Sequence, residues 1–220
     1  MGWQDAERRF AGDAVADGTL PRTLERSAER GPDRTAQRYK GGVYDRSLVA
    51  AGVVGAAPAG AYADLDYAEL RDAVRHLAAG FRAVGLGDGD RVAIYANTRM
   101  EWAQADFAAL AAGGVVTTVY AAASRSRVRF LLADPGATVV VVENRAHLET
   151  VLAVRDDLDA ELTAVVTMDE VETSDLTPDE TALAYTPGEV AAPAADAFDA
   201  ASYASRPDPP DPPRPPRPPS

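Results

Sequence analysis

The sequence contains no cysteine. No disulfide, thiolate nucleophile or zinc–thiolate site can be built from it. Lysine is nearly absent as well: Lys40 is the one lysine among 22 basic residues, and the others are arginine. Histidine occurs twice, as His76 and His147. Neither has a metal-ligand partner three or four positions after it, so both read as surface histidines in mid-helix. Two histidines in such contexts support no Ser/His/Asp set. No apolar run approaches the roughly 20 residues that span a bilayer. Residues 1–10 lack the apolar core of a signal peptide. A cytoplasmic location is the resulting expectation.

The formal net charge is -12 and the sequence pI about 4.6. A chain this acidic repels nucleic acid and anionic lipid. Its carboxylates are spread along the chain rather than gathered in one run, which describes a solvated surface. The scarcity of lysine beside abundant alanine, aspartate and arginine fits either adaptation to high salt or a GC-rich coding sequence. Hydrophobic residues make up 46% of the 220, enough to bury a core of one domain or slightly more.

The clearest pattern lies between Asp90 and Met168. Apolar runs at 92–96, 115–120, 139–142 and 162–166 alternate with helical segments. Such alternation predicts an α/β fold with a mostly parallel sheet and flanking helices. Asp66 followed by Glu69 forms a capping-box signal, and Thr98 with Glu101 a second. After the first, Leu70, Val74, Leu77, Phe81 and Val84 form an apolar helical stripe. The second opens a helix carrying Met100, Trp102, Phe107 and Leu110. Ser124 and Asn144 are expected to cap two further helices. Upstream, a helix is predicted over Leu20–Arg30 and a strand over 35–39, with residues 41–63 as loop plus one or two short strands. Residues 206–220 hold nine prolines and no apolar core residue. They are expected to form a disordered, extended tail.

Few residues suggest chemistry. Gly85, Gly87 and Gly89 precede a strand, whereas a dinucleotide loop follows one, so a tight turn is expected. Trp102 is placed for packing rather than for lining an acyl tunnel. Asn97 follows a strand end, where open α/β sheets bind ligands, but capping or loop bonding is the simpler role. Arg125, Arg127 and Arg129 do not share one helix face.

The block from Asp90 to Asn144 resembles the N-terminal part of adenylate-forming acyl-CoA synthetases, of the long-chain fatty acid–CoA ligase type. The phrases that carry the resemblance are Gly89-Asp90-Arg91-Val92-Ala93-Ile94, Asn97-Thr98-Arg99-Met100-Glu101-Trp102, Gly113-Gly114-Val115-Val116-Thr117-Thr118-Val119-Tyr120 and Leu131-Leu132-Ala133-Asp134-Pro135-Gly136-Ala137. It extends over about residues 20–205, so residues 1–205 are expected to be a partial N-terminal domain. For a complete member the resemblance implies ATP, Mg2+ and coenzyme A, and a fatty acid substrate. That enzyme forms an acyl-adenylate and then acyl-CoA.

The family's phosphate loop resembles Tyr-Thr-Ser-Gly-Thr-Thr-Gly-x-Pro-Lys-Gly and is missing. It would follow a segment like residues 198–205; the proline-rich run stands there instead. A shifted reading frame near Ser205-Arg206 is the expectation. No catalytic, cofactor-binding or metal-binding residue is therefore expected in this chain, and no cofactor for the fragment alone. A stand-alone interaction or regulatory module derived from such an enzyme is the alternative. A partial domain should leave an apolar face open to association. The purified chain should then bind the hydrophobic dye ANS more than a compact control does. Dye fluorescence no higher than the control would count against a partial domain.

Overall fold

A computed structural model describes residues 19–49, 52–172, 174, 176–178, 180 and 184–185. The elements run α1 (Leu20–Arg30), β1 (Thr35–Lys40), β2 (Tyr62–Asp66), α2 (Tyr67–Ala83), β3 (Arg91–Ala96), α3 (Met100–Ala111), β4 (Val115–Tyr120), α4 (Arg125–Ala133), β5 (Ala137–Val142), α5 (Arg145–Leu152), β6 (Ala164–Thr167) and β7 (Ala184–Tyr185). The proline-rich tail expected at 206–220 lies outside the described residues.

β3 to β7 form one sheet in the order β4-β3-β5-β6-β7, with every neighbouring pair parallel. β1 and β2 pair antiparallel as a separate ribbon. Parallel strands buried on both faces read as unbroken apolar runs, and Val139–Val142 meets that description at 0–3% exposure. Alternate side chains sort to two cores. Val92, Ile94, Val139 and Val141 join α1, α2 and α3 on one face. Ala93, Tyr95, Val140 and Val142 join α4 and α5 on the other.

Helix starts follow local chemistry. The Asp66 carboxylate accepts from the Glu69 N–H at 2.8 Å, and the Glu69 carboxylate accepts from the Asp66 N–H at 2.9 Å. This reciprocal pair is the expected capping box. The second one does not form. α3 begins after Arg99, which makes no side-chain capping bond; Glu101 is drawn into an ion network described below. Ser124 and Asn144 cap α4 and α5 as read from the sequence. The glycine turn before β3 is tight. Gly85 and Gly89 have φ of 103° and 78°, and a Cβ on Gly87 would meet Asp90 Oδ2 at 2.9 Å. That oxygen accepts from the Gly87 N–H at 2.8 Å.

Packing corrects the expectation for α3. Its fully buried face is Met100, Glu101, Gln104, Ala105, Ala108 and Ala109. Phe107 and Trp102 sit at the margin of the core and Leu110 is half-buried. Small side chains let α3 lie close to α2 and the sheet. Phe81 of α2 is fully buried in the same core cluster. Phe81→Ala should cost about 3–5 kcal/mol, read as a lower urea midpoint with unchanged m-value. A loss below 1 kcal/mol would mean that this face is loosely packed.

Candidate functional site

Ligands of open parallel sheets bind beyond the carboxyl ends of the strands. In this chain that rim holds Asn97 after β3, Glu143 after β5 and Asp169 after β6. Arg99 sits among them with its side chain 12% exposed. Its guanidinium grips Glu101 in bidentate fashion, through Nε at 2.9 Å and Nη2 at 2.7 Å. Nη2 also lies 3.0 Å from Asp169 Oδ1 and donates to Ser47 Oγ at 3.0 Å. Nη1 lies 3.8 Å from Glu143. The Ser47 hydroxyl in turn donates to Glu101 Oε1 at 2.6 Å, and the Tyr44 ring sits 5.8 Å from the guanidinium carbon.

Burial alone would disfavour the charge on Arg99, yet the hydrogen bonds and charges of Glu101 and Asp169 outweigh it and hold its pKa above the ordinary value. The network ties residues 44–47 to the start of α3 and to the ends of β5 and β6. Asn97 belongs to the same rim. Its backbone N–H and Nδ2 donate to Glu143 Oε2 at 2.7 and 2.9 Å, the loop-bonding role read from the sequence.

Beneath the rim lies an apolar cavity of about 330 Å3 between α2, α3 and the sheet. Leu48, Val53, Leu77, Val141, Val166 and Met168 make its apolar wall, while Glu69, Asp72 and Glu101 bring carboxylates to it. A carboxylate or phosphate ligand would meet like charge there. At the rim Arg99 is already engaged by Glu101, Glu143 and Asp169, and beside Asp169 a second cleft is lined by Arg46 and Arg145 together with Glu149, Glu170 and Glu172. Lys40 is exposed in β1 and joins neither feature. The carboxylates at the apolar cavity do not fit a nucleotide triphosphate.

The remaining sequence candidates separate. Arg125, Arg127 and Arg129 are exposed on α4, with Arg127 over the Phe130 ring at 5.2 Å. His76 is exposed at the cavity lining. His147 departs from the surface reading: it is half-buried, edge-on to Tyr95 at 4.2 Å between ring centroids, with Nε2 at 3.2 Å from the Ala121 carbonyl. The Arg99 network escaped the sequence reading because its members are 122 positions apart, from Ser47 to Asp169. The signal that could have found it is the placement of Arg99 and Glu101 at the carboxyl end of a strand read as buried.

The geometry defines an open parallel α/β scaffold whose strand-end rim is braced by the ion pairs of Arg99. The AMP-binding enzyme family profile matches residues 24–218, and the chain belongs to that family. Long-chain-fatty-acid–CoA ligase FadD15 of Mycobacterium bovis is 40% identical over 88 residues, covering 40% of this chain and 15% of the relative. An L-proline–[L-prolyl-carrier protein] ligase of Streptomyces coelicolor is 37% identical over 102 residues, covering 46% and 19%. A crystal structure of a long-chain-fatty-acid CoA ligase from Rhodopseudomonas palustris superposes with a TM-score of 0.60 at 20% identity, over 80% of this chain and 37% of that one. These alignments span less than two-fifths of the proteins they match. Among the described residues, no helix is long and apolar enough to cross a membrane.

Removing Arg99 should leave Glu101 buried without its cation. Arg99→Leu is expected to cost about 3–5 kcal/mol, and the double variant Arg99→Leu/Glu101→Leu to recover most of that. Urea unfolding measures both. A single-variant loss under 1 kcal/mol would reduce the network to an ordinary surface ion pair.

Proposed function

We propose that this chain supplies the N-terminal scaffold of an ATP-dependent acyl-CoA synthetase, with residues 1–205 as a partial domain and 206–220 as a proline-rich tail. The observation that carries the reading is the 40% identity to a long-chain-fatty-acid–CoA ligase, which falls on a chain built as a parallel α/β scaffold. In the complete enzyme the reaction is adenylation of a fatty acid by ATP, with Mg2+, followed by transfer to coenzyme A. This chain's residues position and support; they do not carry the chemistry. Its single lysine, exposed in β1, leaves none for a phosphate loop. The carboxylates around the cavity favour neither a fatty acid carboxylate nor a triphosphate.

The acid is set elsewhere. One similar ligase is named for long-chain fatty acids and another for L-proline, so a common scaffold accompanies different acids. A second reading, an interaction module acting without the ligase chemistry, draws support from β4, which among the described residues pairs on one side only.

A paired assay separates the two. The chain alone, given ATP, Mg2+, coenzyme A and palmitate, should release no AMP above background. A chimera in which this chain's matched segment replaces its counterpart in the FadD15 ligase should retain ligation. An inactive but folded chimera would overturn the scaffold reading, and turnover by the chain alone would overturn the division of labour.

A further inference from the structure

β4 is the outer strand of the five-stranded sheet, and among the described residues it pairs with β3 alone. Its six residues, Val-Val-Thr-Thr-Val-Tyr, include no charge and no proline, and its register with β3 is unbroken. Sheet edges are ordinarily guarded by lysine, proline, a bulge or short length. β4 has none of these. The Val115 N–H donates to the Asp90 carbonyl at 2.8 Å, so the backbone groups of residues 115, 117 and 119 face β3. Backbone groups alternate along a strand, which turns those of Val116, Thr118 and Tyr120 outward; of these, the Tyr120 carbonyl already accepts from the Ala123 N–H at 2.8 Å. Thr118 and Tyr120 are exposed, Tyr120 at 78%.

We propose that this edge joins two copies of the chain by antiparallel β4–β4 pairing, with a twofold axis at Thr118. The strand is its own complement. Opposite residues in an antiparallel pair must both point their backbone groups inward or both outward. Thr118 against Thr118 and Val116 against Tyr120 satisfy that rule, with Thr117 against Val119 between them. These are β-branched and aromatic cross-strand pairs, which are favourable, and no like charges meet on the strands. The pairing is isologous and therefore closes at two copies. Phe130 on the adjoining α4 is 49% exposed and adds apolar surface near the edge.

Charge opposes the contact. Each copy carries a formal -12, and this repulsion reaches about 10 Å at 0.1 M salt but only about 3 Å at 1 M. Dimerisation should strengthen with salt. Sedimentation of the full chain at both salt concentrations tests this, with a monomer–dimer equilibrium shifting at least tenfold toward dimer at 1 M. The register has its own test, because the chain has no cysteine. Hydrogen-bonded opposite residues sit about 5.5 Å apart at Cα, within disulfide reach. Thr118→Cys should form a covalent dimer under mild oxidation and Thr117→Cys should not. Thr118→Pro removes an outward N–H without touching the β3 ladder, and should weaken the dimer at least tenfold with unchanged circular dichroism. A monomer at both salt concentrations, equal cross-linking at both positions, or open-ended aggregates would overturn the proposal. If Thr118→Pro fails to fold, the two cysteine variants decide, since both replace a threonine by a residue of similar size.

Discussion

The two-sided burial of β3 and β5 is the constraint on which the rest of the fold depends. Val92, Ala93, Ile94, Val139, Val140 and Val142 are all fully enclosed. Strands of this kind are stable only with helices on both faces. Alternate side chains then recruit α1, α2 and α3 to one side and α4 and α5 to the other. Strand order, crossover path and the split of the core into two clusters all follow from that demand. At the margins, where burial is one-sided, the demand weakens. β4 is the clearest case: only Val119 of its six residues is fully buried.

Most of this was legible in the sequence because it rests on periodicity. The apolar runs at 115–120 and 139–142 coincide with β4 and with the end of β5, and the stripe from Leu70 to Phe81 lies on α2. Caps with a short oxygen-bearing side chain, Asp66, Ser124 and Asn144, were readable for the same reason. What escaped depends on contacts distant in sequence. Thr98 is not the cap of α3 because Arg99 and Glu101 have partners in residues 44–47 and 169 that outcompete local bonding. The α3 stripe was misjudged because its buried face is mostly alanine, which carries little signal in a hydrophobic pattern. His147 was misplaced because a lone histidine gives no clue to the tyrosine on the neighbouring strand.

The strand-end rim shows why fold and function part company here. Position alone makes it the natural ligand site of such a sheet. There Arg99 is held by carboxylates and a hydroxyl, and the cavity below adds further acid. A buried ion network of this kind is poor evidence for net stability but good evidence for a fixed arrangement of segments. The rim braces the loop around Ser47 against two strand ends. That bracing fixes the position of the loop relative to the sheet.

The sheet order also has a consequence in time. β3 lies at the heart of the sheet yet is the first of its strands to be synthesised, and both of its neighbours follow it. Roughly 20 residues separate the end of β3 from the start of β4, which at translation speeds of about 5–20 residues per second is about 1–4 s. Through that interval a strand that ends buried on both faces leaves the ribosome with neither flank occupied. Its other flank waits longer still, until β5 emerges. Order along the chain and order across the sheet thus disagree, and the centre of the sheet is the part that must wait longest for its partners.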